Sequence, residues 1–196
     1  MSSLLEMLGK SLTGSNLSMI SEQLGADEQQ TKSAIGAVLP TLIGALSKNG
    51  ATQQGAEGIL GALSKDNHDG GILENLSGFL GNKQYEEPRS GMGILGHLLG
   101  GKQQQVQQSV SQSSGLGAAA SGQLMKMLAP LVMGALGKQQ QSQGFDASSL
   151  MGFLGGEKEA VEKESGGLIG RMLDQDGDGD FDMSDMAKLA LGKLFG

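Results

Sequence analysis

The chain repeats itself. Pro40, Gly44, Ala45, Leu46 and Lys48 return as Pro130, Gly134, Ala135, Leu136 and Lys138, each displaced by 90 residues. At the same shift Ile20 faces Val110, Ser21 faces Ser111 and Gly25 faces Gly115. Further on, Gly61 and Leu63 face Gly152 and Leu154 at a shift of 91, and near the start Leu5, Leu8 and Gly9 resemble Leu95, Leu98 and Gly100. A constant offset across several segments restricts the fold to two copies of one supersecondary unit. The spacing predicts related units at residues 1–86 and 91–156. Pro88 marks the junction, because proline fixes its own φ and turns the preceding residue away from helix. A connector rich in Glu and Lys is expected at 155–167, followed by a C-terminal module at 164–196.

Within each unit the apolar spacing is helical. Ile35, Val38, Leu39, Leu42, Ile43 and Leu46 recur three and four apart, as do Leu124, Met127, Leu128 and Leu131, with a slip to Met133. Helices are expected over 33–48 and 123–138, each bent or restarted at its internal proline. Asp27 and Ser121 are placed where a helix start favours them. Residues 103–112 read as a polar helix or loop, and the glutamine tract at 139–143 as a linker. No segment alternates with β-branched enrichment, so the expected class is all-α, two helical units in tandem plus a C-terminal helix-loop-helix. With 34 glycines, no Trp and one Tyr, the core must be built from Leu, Ile, Met and Ala.

The run containing Gly93, Ile94, Leu95, Gly96, His97, Leu98 and Leu99, the segment around Pro130, Gly134 and Leu136, and the stretch Lys65, Asp66, Asn67, His68, Asp69, Gly70 resemble the YidB-like bacterial family of unknown function. The resemblance covers residues 1 to 156. It implies a small all-helical domain, sometimes in tandem, and brings no established activity.

The sharpest chemical motif lies near the end. Asp174, Asp176 and Asp178 occupy positions 1, 3 and 5 of a twelve-residue EF-hand loop, and Gly179 holds position 6, where the chain must turn sharply. Asp180 would give its backbone carbonyl, Asp182 would act directly or through water, and Asp185 closes the loop at position 12. Leu168, Ile169, Met172 and Leu173 form an apolar stripe entering it; Met186, Leu189, Ala190 and Leu194 form one leaving it. Carboxylates so closely clustered repel one another without a cation, so Ca2+ is the expected ligand. Aspartate at position 12 is one methylene shorter than the usual glutamate, which makes six-coordination, and hence Mg2+, the alternative. The loop also resembles a dockerin segment, although a dockerin needs a second copy that this chain lacks.

Other constellations are weaker. Asp66, Asn67, His68 and Asp69 hold three ligand types but read first as a turn, with an aspartate capping a helix near Ile72. Gly91, Gly93 and Gly96 match a dinucleotide fingerprint by letters, yet no strand precedes them, so they read as helix packing. His97 reads as a surface or interface residue, since no nucleophile or carboxylate partner can be assigned to it. Met125, Met127, Met133 and Met151 read as core filling, with a Met-lined interface as the alternative.

A net charge of -7 speaks against a nucleic-acid partner, which needs clustered Lys and Arg. There is no cysteine, hence no disulfide or thiolate metal site. The N-terminus lacks a basic start and cleavage site, and the longest apolar run, 34–46, is too short for a transmembrane segment. A cytoplasmic location is expected, with signal-less export left open. The expected function is non-enzymatic: a calcium-binding interaction or assembly protein that engages a protein partner or itself, as a homo-oligomer. The alternatives are a calcium-independent self-associating structural protein and, least favoured, a metal-assisted hydrolase.

Overall fold

A computed structural model describes residues 3–65, 70–81 and 88–164, and every described regular element is helical. The order is α1 (Leu4–Ser11), α2 (Ser15–Leu24), α3 (Glu28–Asn49), α4 (Gln53–Lys65), α5 (Gly71–Glu74), α6 (Leu76–Gly81), α7 (Pro88–Leu99), a 3-10 turn (Gly100–Lys102), α8 (Gln103–Ser114), α9 (Ala118–Gln143) and α10 (Ala147–Glu164). The fold is all-α, as the helical periodicity predicts.

The ninety-residue offset corresponds to matched local geometry. Gly25 and Gly115 end α2 and α8 in the left-handed conformation, with φ of 62° and 72°. Glycine carries no Cβ penalty there, which accounts for its presence at both sites. Thr31 and Ser121, also ninety apart, are fully buried in the first turns of α3 and α9. Their hydroxyls donate to the carbonyls of Asp27 and Leu116, respectively. Ser121 is thus an interior residue, and the N-cap of α9 is Gly117. At the start of α3 the Asp27 side chain accepts from the Gln30 amide at 2.8 Å. Replacing Asp27 with alanine is therefore expected to destabilise the protein by about 1 kcal/mol, read by urea denaturation. Replacing Gly117, which makes no side-chain cap, has no such bond to lose.

Pro40 and Pro130 lie inside continuous helices, α3 running to Asn49 and α9 to Gln143. A proline has no N–H to offer the carbonyl four residues earlier, so Gly36 and Lys126 cannot receive the ordinary helical bond from positions 40 and 130. The helix persists because packing holds it. In α3 the residues Val38, Leu39, Leu42, Ile43 and Leu46 are buried, and in α9 everything from Leu128 to Gly137 is. The tract 139–143, expected as a linker, is the last part of α9: the apolar body of that helix is anchored on all sides and its polar end extends the same backbone.

The segments matched at the ninety-residue offset are interleaved. α3 packs directly on α9; α8 lies on α3, α10 lies on α3 and α4, and α7 lies on α9 and α3. Leu154 of α10 reaches the α3–α4 corner, where a Cβ on Gly50 would lie 2.3 Å from its Cδ1. One apolar cluster contains Leu8, Ile20, Leu42 and Ile43 together with Leu95, Leu124, Val132 and Leu150. α9 is long and apolar enough to cross a membrane by length and composition, with 67% of the relevant window buried inside the protein. That burial is the mark of a central core helix.

The expected connector at 155–167 is corrected in its described part. Leu150, Leu154, Glu157 and Val161 fall four, three and four residues apart on one face of α10, and all are buried. A charged residue at the third place of that stripe hides the helical period from a reading based on apolar residues alone.

Candidate metal centre

Asp174, Asp176, Asp178, Asp180, Asp182 and Asp185 lie outside the described residues, as do Asp66, Asn67, His68 and Asp69. Six aspartates supply only hard oxygen ligands, which suit Ca2+ or Mg2+ and not a soft transition metal. Among the described residues no group of three or more His, Asp or Glu is gathered closely enough to hold an ion.

The described body ties α10 down. Glu157 is 5% exposed, and its Oε2 accepts the backbone amide of Leu4 at 2.8 Å. Leu4 opens α1, so the carboxylate faces the positive end of a helix and takes one of the amides that no intrahelical carbonyl can reach. A buried carboxylate is tolerated only with such partners. Spacing alone could not have found it, since its partner lies 153 residues away.

At the N-terminal end of α10 the side chain of exposed Asp146 accepts the Ser149 amide at 2.8 Å and the Ser149 hydroxyl at 2.6 Å. Ser149 Oγ in turn is placed to take the Asp146 amide, a reciprocal cap. The Ser149 hydroxyl, and then its amide, hold the Asp146 carboxyl below its ordinary value. A depressed carboxyl stabilises the fold above its unfolded pKa, and that contribution fades as pH falls through the folded one.

His97 is exposed on α7, and the glycine fingerprint is part of that same helix. Gly91 is buried against α9, whereas Gly93 and Gly96 face open space. Met125 and Met133 are buried in the core, Met127 and Met151 pack partly buried against it, and Met92 is 47% exposed. A shallow cleft of about 280 Å³ is lined by Ser11, Asn16, Glu74, Asn75 and Ser77. Its polar groups largely serve one another: Ser77 Oγ donates to Asn16 Oδ1, and Asn16 Nδ2 donates to the Ser11 carbonyl.

The fold thus defines a class, an all-α protein whose described helices share one apolar core. The chain belongs to a bacterial family of proteins of unknown function, DUF937, whose family model matches residues 6–139. That match runs from α1 into α9 as one span and stops before α10 and the aspartate loop. No curated protein and no solved structure matches the chain.

Proposed function

We propose that this protein is a calcium-binding, non-enzymatic helical interaction or assembly protein, in which the ion orders the C-terminal module at 164–196. The observation that carries the reading is the placement of Asp174, Asp176 and Asp178 at alternate positions directly before Gly179. Binding stabilises whichever state holds the ion, so Ca2+ would favour an ordered helix pair able to dock on the body or on another chain. Mg2+ is the competing ion, given Asp185 at the twelfth position. The YidB-like assignment and a cytoplasmic setting belong to the same reading.

Titration calorimetry of the full chain is expected to show one Ca2+ bound with Kd below about 1 mM, the weak limit of extracellular modules. Asp174→Ala combined with Asp178→Ala should abolish it. Absence of binding to the unaltered chain in that range overturns the reading. Light scattering with and without chelator separates it from calcium-independent self-association, in which the mass stays constant. That second reading draws on helical glycines such as Gly93 and Gly96, whose faces are open to the approach of another helix. A hydrolase would need an open coordination position beside a pocket, and its signature would be metal-dependent turnover.

A further inference from the structure

We propose that Asn49 is a modification site gated by the fold: held unreactive in the folded chain, it deamidates when the α3–α4 corner opens, and as aspartate it no longer holds α7. Asn49 and Gly50 form the one Asn-Gly pair in the sequence. Glycine leaves its amide nitrogen unshielded by a side chain, so such a pair closes to a cyclic imide faster than other asparagine pairs. Asn16, Asn67, Asn75 and Asn82 are each followed by a bulkier residue. The chemistry needs only water. The Gly50 nitrogen attacks Asn49 Cγ, a C–N bond forms, and the Cγ–Nδ2 bond breaks as ammonia leaves with the Gly50 amide proton. Water then opens the imide at one of its two carbonyl carbons, giving aspartate or isoaspartate.

The folded corner blocks the first step. The Gly50 amide proton is committed to the Leu46 carbonyl, at 2.9 Å. Leu154 of α10 is seated against Gly50 where a Cβ would stand, and Gly55 of α4 is seated in the same way against the Asn49 carbonyl. The peptide joining the reacting pair is thus clamped from both sides and cannot turn toward the side chain. That side chain is tied as well: Nδ2 donates to the Ala45 carbonyl at 2.8 Å and to the Leu98 carbonyl at 3.1 Å. Asn49 is exposed, so solvent reaches it, and its protection comes from geometry.

The same contacts dictate what the modification does. Two carbonyls face one end of the side chain, which requires the amide nitrogen there, and an ionised aspartate has no proton to give. Leu98 lies in the last turn of α7, where carbonyls run out of helical donors, so Asn49 caps α7 from another helix. Aspartate would set a negative charge against both carbonyls and against the C-terminal end of α3, itself partly negative. The packing imposes the labile pair, because residue 49 must donate twice and residue 50 must lack a Cβ.

The test uses the full, unaltered chain. Folded in mildly alkaline buffer, it should deamidate at Asn49 at least about tenfold more slowly than in guanidinium chloride at the same pH and temperature, since opening limits the folded rate. Peptide mapping by mass spectrometry reads both rates and the isoaspartate formed. Equal rates overturn the proposal. The consequence is read on Asn49→Asp by amide hydrogen exchange, which should quicken in α7 more than in α2. An α7 that exchanges as in the parent removes the proposed role of Asn49 in holding it. Where Asn49→Asp does not fold, the rate comparison on the unaltered chain still decides whether the fold gates the site.

Discussion

Leu42→Ala is expected to destabilise the whole protein by about 2–5 kcal/mol, in one unfolding transition that carries both sequence repeats with it. Leu42 is fully buried in α3, and its counterpart Val132 is fully buried in α9, the helix on which α3 packs. Truncation removes three heavy atoms and leaves a void lined by residues already locked in close packing, so the loss exceeds the transfer term alone. If each repeat had its own core, Leu42→Ala would lower the melting of one half and spare the other. With α8 and α10 of the second repeat lying on α3 of the first, no half can lose its packing alone. Calorimetry and far-UV circular dichroism on the same sample check this: coincident, single transitions in both the parent and Leu42→Ala are the expected result. Two resolved transitions would show that the interleaved core does not govern unfolding.

Gly91→Ala should cost a further large increment, about 1–3 kcal/mol, although alanine is the better helix former. A Cβ at Gly91 would lie 2.4 Å from the carbonyl oxygen of Lys126. That carbonyl belongs to the residue four before Pro130, which has no N–H to give it, so α7 closes on α9 where the proline has interrupted the helical ladder. Because the obstacle is backbone, α7 as a whole must move away. The pair Gly44 and Gly134 gives the control within one sequence motif. Gly44 has open space at its Cβ position, so Gly44→Ala should stabilise by about 0.5–1 kcal/mol. Its repeat-equivalent Gly134 would place a Cβ 2.4 Å from Ile72 Cγ2, so Gly134→Ala should destabilise. Denaturant midpoints of the three variants test this; equal signs at Gly44 and Gly134 would sink the packing account.

The opposite expectations for Gly44 and Gly134 also mark how far the repeat could be read. Gly25 and Gly115 could be placed from the offset, because both answer a local backbone requirement. Gly44 and Gly134 match as letters, yet α5 approaches only Gly134, and no short-range pattern announces that approach. Asp27 was legible as a cap because capping acts over three residues. Glu157 reads as connector in the sequence because its partner, the Leu4 amide, is brought to it by the fold.

The candidate site divides in the same way. The aspartate motif proposed to hold a cation is written in consecutive residues, since a motif of this kind draws its ligands from one short segment. The corner that holds Asn49 is assembled from α3, α4, α7 and α10, and no segment of sequence contains it. By itself, then, the sequence determined the helical class, the left-handed glycines matched at the ninety-residue offset and the Asp27 cap, all of which act over a few residues or through periodicity. Only the tertiary structure decided that the segments matched at the ninety-residue offset share one core, that α10 runs on to Glu164 inside the expected connector, and which glycines are contacts. Those outcomes depend on which distant backbones approach, and burial rewards that approach without leaving a mark in local spacing.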